Sequence, residues 1–127
     1  MARILMVDDD EGYLLAAGAL LEAEGHEIVK ATSAAEARTI LDSQTPDLIL
    51  LDVLMPGKDG FKFSDELAGD EALSDVPVVL VTSVADSSGQ MMHAFEAGKG
   101  LAASDILPKS AAHKQLIDTV AAALGGE

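Results

Sequence analysis

The chain has 127 residues, the size of one ordinary domain, and 49% of them are hydrophobic although only 3% are aromatic. Twenty-two acidic residues against eight scattered basic ones give a formal charge of −14, which argues against nucleic-acid binding by this domain alone. The absence of cysteine excludes disulfides and thiolate metal sites, and no apolar run approaches the roughly 18 to 20 residues of a membrane span. We therefore expect a cytoplasmic protein that does not enter the membrane.

The first third of the chain reads as strand, helix and strand. Residues 4–7 predict a buried first strand, and residues 11–24 predict a helix that Gly25 ends. The expected buried face of this helix consists of apolar or small residues at helical spacing: Leu14, Ala17, Gly18 and Leu21. Residues 26–31 predict a second strand.

The middle of the chain repeats this alternation. Ser33 and Glu36 have the spacing of a capping box and predict the start of a second helix. Residues 47–52 predict a third strand without polar alternation, as in a strand covered on both faces. A loop over 55–60 and a short helix through Leu67 are expected next.

The last third completes the pattern. Residues 76–81 predict a fourth strand, 86–97 a fourth helix and 106–107 a short fifth strand. A final helix is expected after Ser110. Its apolar stripe consists of Leu116, Ile117, Val120 and Leu124.

This alternation predicts the fold class. Five strands that alternate with five helices indicate an α/β protein with a five-stranded parallel sheet covered by helices on both faces. Right-handed crossovers favour the strand order 2-1-3-4-5, which is the flavodoxin-like (βα)5 three-layer sandwich. We expect residues 1–127 to form one domain, with an ordered core over roughly 3–124.

Polar side chains follow the predicted strands where the strands end. The first strand ends in Asp8-Asp9-Asp10, the third in Asp52 and the fourth in Thr82, and the fifth leads to Lys109. These carboxyl ends meet at one edge of an open α/β sheet, at the switch point where ligands bind. Carboxylates held close together repel each other and attract a cation, and oxygen ligands favour Mg²⁺, with Mn²⁺ or Ca²⁺ as substitutes. A carboxylate beside Mg²⁺ can attack phosphorus and form an aspartyl phosphate.

Four segments in this order closely resemble the receiver domain of two-component response regulators, a family that includes the chemotaxis response regulator. The segments are residues 4–10, residues 46–56 with Gly60, residues 77–83, and Lys109. The resemblance covers essentially the whole chain. It implies a phosphoprotein that switches a protein-interaction surface in a phosphorelay, and a regulator rather than an enzyme with an external substrate.

The resemblance also implies a role for each site residue. Asp52 would be the phosphoacceptor, and Asp9 and Asp52 would bind Mg²⁺ directly together with the main-chain carbonyl of Leu54. Asp8 would act on the metal through a water molecule. Thr82 and Lys109 would bind the phosphoryl group. The phosphoryl donor would be a phosphohistidine on a sensor histidine kinase or a histidine phosphotransfer protein, and the output partner is not specified by the sequence.

Three positions depart from the family pattern. Ile106 stands where the family commonly has an aromatic residue that moves with the threonine, so the aromatic switch is not expected here. Lys109 is followed by Ser110 and not by proline, so a trans peptide is the default. The segment 98–105 between the fourth helix and the fifth strand is longer than usual.

Two alternative functions remain open on the sequence. The first is a Mg²⁺-dependent phosphohydrolase of the haloacid dehalogenase type, which also uses a nucleophilic aspartate. Its motif has a second acid two residues after the nucleophile, where this chain has Leu54. The second is a degenerate receiver that acts only as a docking module, against which the complete set of acids, Thr82 and Lys109 argues.

Overall fold

The chain folds as alternating strands and helices. The computed structural model describes residues 2–52, 54–55, 58–59, 63, 65–67, 69–82, 105–109 and 111–125. The strands are β1 (Arg3–Val7), β2 (Glu27–Ala31), β3 (Leu48–Asp52), β4 (Leu54–Met55), β5 (Lys58–Asp59), β6 (Val78–Thr82) and β7 (Asp105–Pro108). The helices are α1 (Glu11–Ala23), α2 (Ala34–Ser43) and α3 (His113–Ala123). Residues 63 and 65–67 are also helical, in agreement with the short helix predicted there.

Five of the strands form one parallel sheet in the order β2-β1-β3-β6-β7. This is the predicted order 2-1-3-4-5, since β4 and β5 form a separate antiparallel pair. The sequence predicted a loop over 55–60, whereas residues 54–55 and 58–59 are paired strands; residues 56, 57 and 60 lie outside the described residues. The switch point lies between β1 and β3, because the chain moves from β1 to β2 in one direction and to β3 in the other.

The sheet buries both of its faces, which explains its continuous apolar strands. In β3, Ile49 and Leu51 pack on one side while Leu48 and Leu50 pack on the other. Ala37 and Leu41 of α2 and the helical residues Phe63 and Leu67 also pack on the first side. The second side receives α1 and α3. The sheet at β1 and β3 therefore lies between helices on both faces, which gives the three layers expected from the sequence.

Helix α1 lies against the second side of the sheet through the predicted face. The buried residues of the helix are Leu14, Ala17, Gly18 and Leu21. Gly18 permits a close approach, because a Cβ there would lie 3.2 Å from the Cε of Lys30 on β2. After the helix, Gly25 adopts a φ of +96°, a left-handed conformation that glycine takes without a steric penalty.

Helix α2 begins at the predicted cap. The Oγ of Ser33 accepts a 3.0 Å hydrogen bond from the backbone N–H of Glu36. The Glu36 carboxylate reaches back one residue further than in a capping box, and accepts from the backbone N–H and the hydroxyl of Thr32. These bonds lower the pKa of Glu36, with the backbone hydrogen bond of Thr32 as the main cause.

Other predictions agree with the structure within a residue or two, or cannot be compared with it. Helix α3 begins at His113, two residues later than Ser110 suggested, and Leu116 and Val120 of its predicted stripe are buried. The helix predicted over 86–97 lies outside the described residues. Across the described ranges, none of the helices has the length and hydropathy that crossing a membrane requires.

The Ser33 cap should contribute measurably to stability. Ser33→Ala leaves the Glu36 N–H without its side-chain acceptor and should lower the free energy of unfolding by about 0.5–2 kcal/mol. Urea denaturation followed by circular dichroism measures this difference. Ser43→Ala at the other end of α2 removes only a bond from the Ser43 hydroxyl to the Ile40 carbonyl, and serves as the matched control. Equal losses in the two variants would contradict the assignment of the cap.

Candidate functional site

The site is built around Asp8, which directly follows β1. Its backbone N–H donates to the carbonyl of Ala31, so that the ladder between β1 and β2 continues by one bond and fixes the residue at the sheet edge. Only 2% of Asp8 is exposed. Its Oδ1 accepts a 2.9 Å bond from the backbone N–H of Asp10 and a 3.0 Å bond from the Nζ of Lys109. Asp8 is therefore a buried carboxylate with a fixed orientation.

Asp52 and Asp9 complete a cluster of three carboxylates. Asp52 is the last residue of β3, is 3% exposed, and is aligned with Val81 of the neighbouring strand. Asp9 is exposed at the rim of the site. One oxygen from each of Asp8, Asp9 and Asp52 lies within 4.8 Å of the others. The convergence predicted from the strand ends is thus present for these three residues.

Lys109 places one positive charge against the two buried acids. Its Nζ lies 2.8 Å from Asp8 Oδ2 and 3.6 Å from Asp52 Oδ2, and its side chain is 15% exposed. Burial is the largest single influence on the pKa of Lys109 and acts to lower it. The hydrogen bond to Asp8 and the charges of the surrounding aspartates outweigh burial, and the pKa is raised above its usual value. Lys109 therefore stays protonated throughout the neutral range.

Tyr13 is the site residue that the sequence analysis missed. It lies in the first turn of α1, and the centroid of its ring is 5.0 Å from the Nζ of Lys109, within cation–π distance. Burial, followed by the charges of Asp8 and Asp52, raises the pKa of Tyr13 to about 12. A signal was available, because this is the only tyrosine in the chain and it follows the acidic run by three residues.

The remaining predicted residues are placed by their backbones. Thr82 is the last residue of β6 and is aligned with Pro108, so it ends at the same sheet edge as Asp52 and directly beside the strand that leads to Lys109. Leu54 begins β4, two residues beyond Asp52. Ile106 lies in β7, aligned with Leu80. Ser110 and the segment 98–104 lie outside the described residues.

The donor set fits a divalent cation of the magnesium type. All the ligand atoms that the cluster offers are carboxylate oxygens, which hard cations prefer. Three acids face one lysine, so the cluster retains an excess of negative charge. The Oδ2 of Asp8 is buried, and its contact among the described residues is the ion pair with the Nζ of Lys109 at 2.8 Å, with no further hydrogen-bond donor there. An acceptor of this kind suits a water molecule bound to such a cation.

Sequence comparisons agree on one family. The family described as response regulator receiver domain matches residues 4–121. Protein PilH of Pseudomonas aeruginosa is 33% identical over 126 residues, which cover 99% of this chain and 100% of PilH. The chain therefore belongs to the receiver domain family of two-component response regulators.

Comparisons with solved structures agree with this family. A putative response regulator from Chloroflexus aurantiacus has a TM-score of 0.84 and 29% identity, with 98% of each chain covered. The response regulator TrrA from Thermotoga maritima, solved in complex with Mg²⁺ and BeF, has a TM-score of 0.81 and 28% identity, with 97% of this chain and 99% of TrrA covered. The hypothesis of a haloacid dehalogenase-type phosphohydrolase receives no support from these findings.

The ionisation of Tyr13, the single tyrosine, reports the burial and the negative charge at the site. In the folded, metal-free protein, Tyr13 should ionise near pH 12, because burial and the two aspartates disfavour the phenolate. Ultraviolet difference absorbance reports this one group, since the chain has no tryptophan and no second tyrosine. The folded state holds the phenol proton to higher pH than the unfolded chain. The free energy of unfolding should therefore fall as the pH rises from about 10 through about 12.

One variant and its control isolate the contribution of the Asp8 charge to the pKa of Tyr13. Asp8→Asn removes a nearby negative charge and should lower the ionisation midpoint, whereas the exposed Asp42→Asn on α2 should leave it unchanged. The protein unfolded in denaturant should titrate near pH 10, the ordinary tyrosine value. A folded midpoint equal to the unfolded one would show that Tyr13 lies outside the field of the acids.

Proposed function

We propose that this chain is the phosphoacceptor of a two-component phosphorelay, with Asp52 as the residue that receives the phosphoryl group. The supporting observation is the buried carboxylate of Asp52 at the end of β3, within 3.6 Å of the Lys109 ammonium and clustered with Asp8 and Asp9. As part of the same proposal, residues 1–127 act as a single receiver domain. The donor is a phosphohistidine of a sensor histidine kinase or a histidine phosphotransfer protein.

The metal part of the proposal assigns Mg²⁺ to the three carboxylates, with Mn²⁺ as a substitute. Asp9 and Asp52 would bind the ion directly together with the Leu54 main-chain carbonyl, and Asp8 would accept a hydrogen bond from its water. When bound, the ion supplies positive charge against the oxygens of the transferring phosphoryl group. The exposed position of Asp9 supports this arrangement, because it leaves one side of the cluster accessible to an ion and to the phosphodonor.

The transfer step uses the side chains of this chain for positioning and charge. One oxygen of the Asp52 carboxylate forms a bond to phosphorus while the bond from phosphorus to the histidine nitrogen of the donor breaks, and that imidazole leaves with the electron pair. Lys109 stabilises the negative charge of the phosphoryl group, about −1.5 to −2, which replaces the single charge of the Asp52 carboxylate. The hydroxyl of Thr82 would donate a hydrogen bond to the same group, which the backbone position of Thr82 at the end of β6 supports.

The product of this step is the modified protein, so the chain acts as a regulator and not as an enzyme with an external product. The new charge at Asp52 would bias a two-state surface formed by the helix predicted over 86–97, β7 and α3. Ile106 lies within that surface, and an aliphatic residue cannot provide an aromatic switch. We therefore expect the change to be transmitted through Thr82 and Lys109.

Intact mass spectrometry tests the acceptor. Incubation with a small phosphodonor and Mg²⁺ should add one phosphoryl group to the wild-type protein and to the exposed-acid control Asp42→Asn. Asp52→Asn should gain none, because its amide is a poor nucleophile of similar shape. A phosphoryl group on the Asp52→Asn protein would assign the acceptor elsewhere. Steady release of phosphate from monoesters over many turnovers would instead support a phosphohydrolase.

Urea denaturation with and without Mg²⁺ tests the metal ligands. A ligand that binds only the folded state raises the free energy of unfolding, by about 2.7 kcal/mol at a concentration a hundred times Kd. Asp9→Asn should lose most of this gain. In the absence of metal it should be more stable than the wild type, because one like charge has been removed from the cluster. Asp42→Asn should respond to Mg²⁺ like the wild type, and a full response in Asp9→Asn would overturn the assignment.

These two experiments also address the docking-module alternative. A degenerate receiver would neither gain mass nor be stabilised by Mg²⁺. The buried, oriented carboxylate of Asp8 argues against it, because a module that used only its surface would have no need of two buried acids.

A further inference from the structure

We propose that Tyr13 is a positioning residue for Lys109: the face of its ring holds the ammonium at the point from which it reaches the phosphoryl group on Asp52. The inference rests on the proposed function of Asp52 and adds a residue to it. It starts from the distance of 5.0 Å between the ring centroid of Tyr13 and the Nζ of Lys109.

The contact belongs to a closed circuit of four interactions. Asp8 Oδ1 accepts from the backbone N–H of Asp10, and Asp10 Oδ1 accepts from the backbone N–H of Tyr13 at 3.1 Å. The Tyr13 ring lies beside the Lys109 ammonium, which donates back to Asp8 Oδ1. Asp10 is the N-cap of α1, so the cap also fixes the backbone that carries the ring. The position of the ring is therefore coupled to the carboxylate that the lysine contacts.

Packing alone does not fix Lys109. A cavity of about 290 Å³ lies between α1 and α3, and Tyr13 and Lys109 both line it together with Leu20, Leu107 and Leu116. A lysine side chain has many rotamers of similar energy, and this open space gives it room to turn away from the acids. The attraction of the ring face limits that freedom. Without the ring, the restraints on the ammonium from described residues would be its ion pairs with Asp8 and Asp52.

The ion pairs of Lys109 with Asp8 and Asp52 should weaken when a divalent cation is bound, which is the state in which the phosphoryl group is transferred. A divalent cation held by Asp9 and Asp52 would reduce the negative charge that attracts the ammonium. The attraction to the Tyr13 ring does not depend on the charge of the carboxylates, so it persists. A cation–π contact in a partly buried site has the strength to change an occupancy several-fold. Tyr13 thus contributes most in the metal-loaded state.

Three variants test the role of the ring. Tyr13→Leu removes the aromatic face and keeps an apolar side chain, and Tyr13→Phe restores the face without the hydroxyl. Leu20→Ala enlarges the same cavity without touching the contact with Lys109, and controls for loss of packing. Circular dichroism verifies the fold of each, and Tyr13→Met replaces the leucine variant if that protein does not fold.

The first readout is independent of phosphorylation. In the nuclear magnetic resonance spectrum, the Hε protons of Lys109, assigned with Lys109→Arg, should show an upfield ring-current shift in the wild type. Tyr13→Leu should abolish this shift, while Tyr13→Phe and Leu20→Ala should retain it. A shift unchanged in Tyr13→Leu would overturn the contact.

The second readout is the rate of phosphorylation by a small phosphodonor with Mg²⁺. Tyr13→Leu should slow this rate about three- to tenfold, and Tyr13→Phe should restore it to within about twofold of the wild type. An equal loss in Leu20→Ala, or no rescue by Tyr13→Phe, would overturn the positioning role. If the wild type itself gains no phosphoryl group, the proposed function of Asp52 fails, whereas the ring-current result still decides whether Tyr13 holds Lys109.

Discussion

The structure of the site depends on the ion pairs of Lys109 with Asp8 and Asp52. The two acids are almost completely buried at the ends of neighbouring strands, where like charges repel strongly. Lys109 is 101 residues away from Asp8 along the chain and reaches it only because β7 completes the sheet beside β6. Lys109 can therefore pair with the two acids only when the whole sheet has formed. The site depends on the complete fold and not on one local segment.

Lys109 does not neutralise all the negative charge of the site, and the charge that remains determines what the site can bind. Asp9 adds a third carboxylate at the rim, so one ammonium faces three negative charges. Apolar side chains of the same shape at these positions would make the folded protein more stable, since burying charges costs free energy even when they are paired. Apolar burial on both sides of β1 and β3 offsets this cost, since β3 is buried along its whole length and β1 is buried except at Arg3. The excess negative charge attracts a hard cation. The same charge that lowers the stability of the fold at this sheet edge therefore favours cation binding.

The sequence predicted the sheet well because its signals are local and strong. Apolar runs such as residues 48–51, without polar alternation, are typical of strands covered on both faces, and the polar residues Asp8, Asp52, Thr82 and Lys109 marked the sheet edge. It could not determine which of three consecutive aspartates is buried, because that depends on the bond from Asp8 to Ala31 of β2. Tyr13 was missed because its contact with Lys109 joins the first helix to the residue after the last strand. Its place three residues after the acidic run indicates that it lies near the acids, but not that it meets the lysine. The β4–β5 pair was also missed, since two-residue strands have no periodicity.

The contacts of Lys109 also suggest how a local change at Asp52 could reach a distant surface. The lysine is held from β1 through Asp8, from β3 through Asp52 and from α1 through Tyr13, while its own backbone follows β7 and leads to α3. A change in charge at Asp52 alters one of three attractions on the same ammonium, and the two others limit how far it can move. A remaining displacement would be taken up most easily at β7, which lies at the edge of the described sheet and has β6 as its neighbour there. In a chain with isoleucine at position 106, this route through the lysine does not require an aromatic side chain to change its rotamer.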